Sequence, residues 1–548
     1  MPTVSNPFLR GFNPDPSILR VGGDFYVATS TFEWYPGVQI HHSRDLVNWR
    51  LLCRPLRRAA QLDMRGDPDS CGVWAPALRM VAGKFTLIYT DMKRYGRTSG
   101  SGGAPGASMR DLGNYMVTAD TIDGEWSDPV FLNSSGFDPS VFEDDDGSIW
   151  ILNQLWDHRP GKNRFGGVVI QQYDPGQRRL VGERRNIFPG TRAGLTEAPH
   201  VHKRDGWYYL LTAEAGTYYH HQATLARSRH LHGPYEVHPD NPLVTSRDRP
   251  DAVLQRAGHA DWCDTADGET VIVFLVSRPL RNRGRSVLGR ESAIARLRWD
   301  PDGWPRLVSR LGRAPEESPE MPALLPHPFP PAPARAEFDG LALPIDFQWL
   351  RTPFPDEIFS LTARPGFLRL YGRDTIGSVF RQALVARRQQ AFCYSARTAM
   401  GFEPLHFQQA AGLVCYYNAA KFHYLYVSHD EDFGGRHLRV MSALPDGTSA
   451  DSFTTPIPLP PGPVHLRVEV DDQRLLFAYS LDGARWEWLP DIFDASILSD
   501  EAATPATANF TGAFVGVCCQ DMAGTALHAD FDWFEYVERD FMADPRKP

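Results

Sequence analysis

Between about residue 10 and residue 313 the chain repeats one pattern five times: a loop, a polar residue, usually a proline, then a strand and a turn. The copies are Asp15-Pro16-Ser17-Ile18, Ala75-Pro76-Ala77-Leu78, Asp138-Pro139-Ser140-Val141, Ala198-Pro199-His200-Val201 and His259-Ala260-Asp261-Trp262. The proline, or Ala260 in its place, recurs at 16, 76, 139, 199 and 260, in steps of 60, 63, 60 and 61 residues. Each copy runs into a glycine-marked turn and an aromatic or apolar strand, as in Gly23-Asp24-Phe25-Tyr26-Val27 and Gly206-Trp207-Tyr208-Tyr209-Leu210. Such a period is long for a helical solenoid and suits a propeller blade of four short strands. Strong amphipathic helical patterns are few. Residues 1–313 are therefore expected to form a five-bladed β-propeller.

The second half of the period also recurs. Residues 43–49 (SRDLVNW) are echoed at 118–126 (TADTIDGEW) and 228–235 (SRHLHGPY), read as outer strands closed by an aromatic. Residues 96–106 (GRTSGSGGAPG) read as a surface loop of blade two. At 314–335 (APEESPEMPALLPHPFPPAPAR) a proline-rich linker favours extended backbone. Beyond it the period stops and strand-like alternation takes over, as in Val464-His465-Leu466-Arg467-Val468 and Asp530-Phe531-Asp532-Trp533-Phe534. Residues 336–548 are expected to form a β-sandwich of jelly-roll-like type, so the whole chain is all-β.

Composition narrows the partners. The 57 Lys and Arg against 66 Asp and Glu give a formal charge of −9, with no basic block. Nucleic acid and anionic membranes are therefore not expected as partners, whereas a neutral ligand fits. The seven cysteines are irregularly spaced and form no C-x-x-C, which points to reduced thiols rather than disulfides or zinc. Residues 1–11 contain no apolar signal region, so a cytoplasmic location is expected. Asn133 and Asn509 match the glycosylation pattern and are read as chance. Self-association is left open.

In a propeller the inner strands line the axis and their equivalent ends meet at one rim. The repeat starts should bring together Asp15, Trp74, Asp138, Glu197 and His259. The plain reading of each Asp is a cap on its Asp-Pro turn. It weakens because the copies do not all keep Asp, whereas a purely structural turn would reuse one solution. Two carboxylates facing across a pocket can cleave a glycosidic bond, one protonated to assist the leaving oxygen and one ionised to activate water. A third, kept ionised, would favour the protonated form of the acid. Carboxylate clusters also bind Ca²⁺, but the closely spaced Asp/Asn loop of usual Ca²⁺ sites is missing. Trp side chains near the repeat starts could stack on a sugar face, although core filling explains most of them.

The residues carry a resemblance. Gly11-Phe12-Asn13-Pro14-Asp15-Pro16-Ser17, Thr29-Ser30-Thr31-Phe32-Glu33-Trp34-Tyr35, Val73-Trp74-Ala75-Pro76, Gly136-Phe137-Asp138, Thr196-Glu197, Gly258-His259-Ala260 and Leu288-Gly289-Arg290-Glu291 resemble, in order, the motifs of glycoside hydrolase family 43 β-xylosidases. Phe367-Leu368-Arg369-Leu370-Tyr371-Gly372 and Phe510-Thr511-Gly512-Ala513-Phe514 extend the resemblance to the family's two-domain, exo-acting members. It implies inverting hydrolysis with Asp15 as general base, Glu197 as general acid and Asp138 tuning and orienting the acid. Arg290 would bind substrate near the carboxylates, and His259 would sit at the pocket floor. Phe32, Trp74 and Trp156 would form apolar walls, and Thr217 would meet a sugar hydroxyl. Phe510 would reach in from the sandwich and block the far end. No cofactor is required, although a divalent cation such as Ca²⁺ near His259 is left open.

The implied substrates are xylooligosaccharides or other pentose oligosaccharides, with D-xylose released from non-reducing ends and α-L-arabinofuranosidase activity beside it. A dominant arabinofuranosidase, an arabinan-degrading enzyme and a non-catalytic carbohydrate-binding propeller are the alternatives. Ala198 stands where the family commonly has Gly, Pro139 where close relatives often have Ala, and Trp262 is bulkier than the aliphatic residue expected there. These departures bear on pocket shape and so on the choice between xylose and arabinose. Inversion predicts carboxyl groups about 6.5–9.5 Å apart, leaving room for water.

Overall fold

Each period folds into one antiparallel sheet in the computed structural model, which describes residues 1–95, 109–280, 283–443, 451–502 and 509–539; four of the sheets have four strands, and the fourth blade adds Val244–Thr245 as a fifth. The glycine-rich stretch 96–106 lies outside the described residues. Blade one comprises Ser17–Val21, Asp24–Thr29, Gln39–Ser43 and Arg50–Cys53. The inner strands of the other blades are Gly72–Val81, Ser140–Glu143, Glu197–Arg204 and Gln255–Asp264. No α-helix occurs among the described residues, only three 3₁₀ turns.

The middle strands of a blade are covered on both faces by neighbouring blades, which is why Thr270–Ser277 (TVIVFLVS) is apolar almost throughout and entirely buried. Apolar clusters fill the seams. Ile88 and Val141 share the cluster between blades two and three; Leu211 and Ile272 share that between blades four and five; Val27 and Val273 share that between blades one and five. The N-terminal segment helps close the ring: Leu9 and Ser292 exchange backbone hydrogen bonds of 3.3 Å. The Asn6 side chain donates to the Ile294 carbonyl at 2.8 Å and accepts from its N–H at 3.0 Å.

The echoed second half-period is a turn, not an outer strand. At all three copies the closing aromatic ties its polar tip to a carbonyl just upstream: Trp49 to Leu46 at 3.1 Å, Trp126 to Ile122 at 3.2 Å and Tyr235 to Leu231 at 2.9 Å. The tight turn leaves those backbone carbonyls without strand partners, and the aromatic supplies one.

The second half packs two nine-stranded sheets face to face. One of them includes a strand from the propeller: Trp34–Tyr35 pairs antiparallel with Phe347–Leu350. Trp34 is fully buried and stacks on Phe514, ring centres 3.7 Å apart. The proline-rich linker lies along blade one, where the His327 N–H donates to Asp45 at 2.6 Å and the Arg50 guanidinium sits over Phe329.

Candidate active site

All five repeat starts share a backbone feature that the letters hide. Asp15, Ala75, Asp138, Ala198 and His259 have positive φ, at 57°, 36°, 53°, 51° and 48°. Asp and His tolerate the left-handed region better than most residues, but Ala has no such excuse. The conformation is therefore imposed by the fold. Ladder registers shift at the same places, between Trp74 and Ala77, Glu197 and His200, and Gly258 and Ala260. A bulge of this kind re-aims side chains at a strand end. It also explains why Glu197 sits one residue ahead of the two Asp residues. Both the kinked residue and the one before it face the mouth, so Asp15, Asp138 and His259 occupy the first position and Trp74, Phe137 and Glu197 the second.

These residues line one cavity of about 340 Å³, together with Phe32, Tyr95, Phe165, Leu195, Gly216, Thr217, Tyr218, Arg290 and Phe510. All five blades and the sandwich contribute. Nine of the ten residues expected from the sequence are brought together. Trp156 is the exception and is absent from the lining. It ends its strand after a register shift at Gln154 and packs behind Phe137 and Phe165, with the Arg110 guanidinium 3.8 Å from its ring centre. Phe137 and Phe165 stand in the wall instead. Phe137 was legible as the residue preceding a repeat start, like Trp74 and Glu197; Phe165, Tyr95 and Tyr218 carried no comparable signal.

Asp15 is 4% exposed and heavily tied. Its Oδ1 accepts from Arg290 Nη1 at 3.0 Å and lies 3.7 Å from His259 Nδ1. Its Oδ2 accepts from Ser30 Oγ at 2.7 Å, and that hydroxyl oxygen in turn accepts the Ala75 N–H at 2.8 Å. Burial works to raise the Asp15 pKa, but Arg290, then His259, Ser30 and His221 outweigh it and hold the carboxyl below its usual range. His259 is shifted down chiefly by its own burial, which disfavours the imidazolium.

Glu197 goes the other way. Burial and then the Asp15 charge push it up to about 8, against the opposing pull of Arg290 and Arg110. Asp138 is likewise driven well up, by burial, then Glu197 and Asp15. The two groups form a coupled pair, in which ionising one holds the proton on the other. The acid's loop is braced by Glu214, fully buried, which accepts from the Thr191 N–H at 2.7 Å and Thr196 Oγ1 at 2.8 Å. Neither Glu214 nor Ser30 was singled out from the sequence.

Aromatic rings surround the carboxylates. Phe32 and Trp74 lie 5.6 Å apart, and Phe510 approaches Trp74 and Tyr95 at 5.7 Å each. The Trp74 indole N–H turns away from the pocket to the Ser70 carbonyl at 3.1 Å. Phe510 is held by the propeller at both ends of its residue: its N–H donates to Ser70 Oγ at 3.1 Å and its carbonyl accepts from Arg290 Nη2 at 2.9 Å. The charge beside His259 and Asp15 is supplied by the Arg290 guanidinium. Among the described residues no group of three or more His, Cys, Asp or Glu is placed to hold a metal.

The model of glycosyl hydrolases family 43 matches residues 4–305, and that of the β-xylosidase C-terminal concanavalin A-like domain matches 335–537. The chain belongs to glycosyl hydrolase family 43. It is a glycoside hydrolase of an inverting family. The xylosidase/arabinosidase 43B of Humicola insolens is 50% identical over 541 residues, covering 98% of both chains. A xylan 1,3-β-xylosidase of a Vibrio species is 42% identical, covering 98% of this chain and 99% of its own. The crystal structure of a xylan β-1,4-xylosidase from Bacillus halodurans C-125 superposes with a TM-score of 0.93 at 44% identity, covering 98% of this chain and all of that one.

Proposed function

We propose that this family 43 hydrolase is an exo-acting β-1,4-xylosidase that releases D-xylose from the non-reducing ends of xylooligosaccharides with inversion. One observation carries the reading: three carboxylates from three blades face one sugar-sized cavity that Phe510 of the sandwich helps to wall. A closed pocket accepts a chain end, whereas internal cleavage needs a groove open at both sides.

Each group has a task that its surroundings fit. Asp15, held ionised, takes a proton from the attacking water. Glu197, held protonated, gives its proton to the leaving oxygen. As that bond breaks, positive charge grows at the sugar's anomeric carbon. Asp138 keeps the proton on Glu197 until it is needed. Arg290 and His259 fix Asp15, and Phe32, Trp74 and Phe510 present apolar faces to the ring. The Asp15→Asn and Glu197→Gln variants should each lose about 10²–10⁴-fold in kcat on a xyloside with a poor leaving group. Undiminished turnover in either would remove its role. NMR of the first product should show α-xylose; β-xylose as the first product would overturn inversion.

A second activity on α-L-arabinofuranosides is favoured by the Humicola relative's name. Comparing kcat/KM for nitrophenyl β-D-xyloside and α-L-arabinofuranoside ranks the two, and a higher value for the arabinoside would reverse the assignment. The Vibrio relative makes linkage a separate question. Hydrolysis of β-1,4-xylobiose well ahead of the β-1,3 isomer is expected. No step needs a cofactor: protein dialysed against EDTA should keep its kcat, whereas a loss restored by Ca²⁺ would put a cation beside His259.

A further inference from the structure

Beneath the proline-rich linker lies a second cavity, of about 860 Å³. Its walls come from the N-terminal segment, blade one, the linker and the first strands of the sandwich, and it shares no lining residue with the catalytic pocket. Five arginines line it, Arg10, Arg50, Arg54, Arg387 and Arg388, against a single acid, Asp346. Such an excess is unexpected in a chain of formal charge −9.

Three of these arginines are accounted for. Arg10 pairs with Glu538 at 2.7 Å, Arg387 lies 3.8 Å from Asp346, and Arg50 is exposed over Phe329. Among the described residues the other two donate hydrogen bonds only to neutral acceptors. Arg54 donates to Gln39 Oε1 at 2.8 Å and to the Ile345 carbonyl. Arg388, 6% exposed, donates to the Phe12 carbonyl at 2.6 Å and to Gln348. Arg388 Nη2 and Arg54 Nε are buried and have no hydrogen-bond partner among the described residues. A buried guanidinium with no direct ion pair keeps most of its desolvation cost, and the attraction of Asp346 offsets only part of it for Arg54 and Arg388. Burial, then the Arg54 charge, accordingly drives Arg388 well below the usual arginine range. His41 beside them, 7% exposed, is pushed down to about 3 by burial, Arg388 and Arg54, so it adds no charge of its own and can only donate or accept a hydrogen bond.

We propose that this cavity is an oxyanion-binding site, in which a carboxylate or phosphate group seats against Arg54 and Arg388. Guanidinium groups match planar oxyanions with paired N–H donors, and the spare N–H groups here supply such donors. Trp49 and Phe8, 4.9 Å apart on the same wall, offer an apolar face to whatever carries the anion. The bound anion would tie blade one to the sandwich, so occupancy should appear as global stability.

The test is thermal melting of the full-length protein with sodium phosphate or sodium glucuronate, against glucose and ionic-strength-matched NaCl. A saturable rise of about 2–5 °C with the oxyanions is expected, and none with the controls. Response to phosphate marks a free oxyanion as sufficient; response to glucuronate alone marks a sugar acid. Arg54→Gln should abolish the rise and Arg54→Lys should retain part of it, with turnover on a xyloside unchanged in both. Should Arg54→Gln fold poorly, Arg50→Gln at the exposed wall should still weaken the response, and anion-dependent quenching of Trp49 fluorescence, absent in Trp49→Phe, reads the site directly. No oxyanion-specific rise in the parent protein, or an equal rise in Arg54→Gln, would overturn the proposal.

Discussion

At the residue scale the pocket separates its carboxylates by neighbours, not by chemistry. Asp15 has a guanidinium, an imidazole and a hydroxyl; Glu197 has another carboxylate and burial. The expected pH profile of kcat/KM is a bell whose acid limb lies below the ordinary carboxylate range and whose alkaline limb lies near 8. Asp138→Asn removes one like charge, so the alkaline limb should move to lower pH; an unmoved limb would mean that Asp138 does not govern the acid. The raised pKa also has a stability consequence. The folded state holds the Glu197 proton more tightly than the unfolded chain does. Stability from this group is present below about pH 4.5, the ordinary glutamate value, and is lost as pH rises to about 8. Glu197→Gln should therefore melt a few degrees higher than the parent at pH 8, with a smaller difference at pH 5. Active sites commonly carry such a trade.

At the element scale the repeated kink is the device that builds the site. Each inner strand enters through a left-handed residue, accompanied in blades two, four and five by a register shift, which aims side chains at the axis. Where the kink needs close backbone approach, glycine is required. A Cβ on Gly136 would stand 1.7 Å from the Gln154 carbonyl oxygen. Gly136→Ala must then displace the start of blade three and Asp138 with it, costing about 3 kcal/mol or more as overpacking against backbone. Circular dichroism melting and kcat should both fall; a neutral result would show that the blade start can slide without penalty. The sequence made the kink visible only as the spacing of Asp-Pro and Ala-Pro pairs. It showed where each blade begins but gave no φ, because positive φ at Ala75 and Ala198 opposes local preference and is enforced by packing. For the same reason Phe137 was passed over beside Asp138 although it shares the position of Trp74 and Glu197.

At the scale of the whole molecule the two domains are one enzyme. The propeller lends Trp34–Tyr35 to a sandwich sheet, and the sandwich lends Phe510 to the propeller's pocket. Gly289, at φ 69°, allows the contact: a Cβ there would meet the Thr511 carbonyl oxygen at 2.4 Å. Gly289→Ala should push the Phe510 segment outward, raising KM for xylosides more than it lowers kcat. A propeller cut after the linker would expose Trp34 and Phe12, both fully buried in the whole chain, and should aggregate or lack exo-activity. A soluble, fully active fragment would show that Phe510 is dispensable.

By itself the sequence determined what is local and periodic. The 60-residue recurrence specified five blades, because each blade is one supersecondary unit with its own strand and turn signals. The register of Asp15, Asp138 and Glu197 within that recurrence put the carboxylates at one mouth. Tertiary structure alone decided what depends on contacts between distant segments. It put Ser30 on Asp15 and Glu214 under the acid's loop, moved Trp156 behind the wall, coupled Asp138 to Glu197, and left Arg54 and Arg388 without direct ion pairs. Those features are set by burial and by partners far away in the chain, and no periodicity in one strand encodes either.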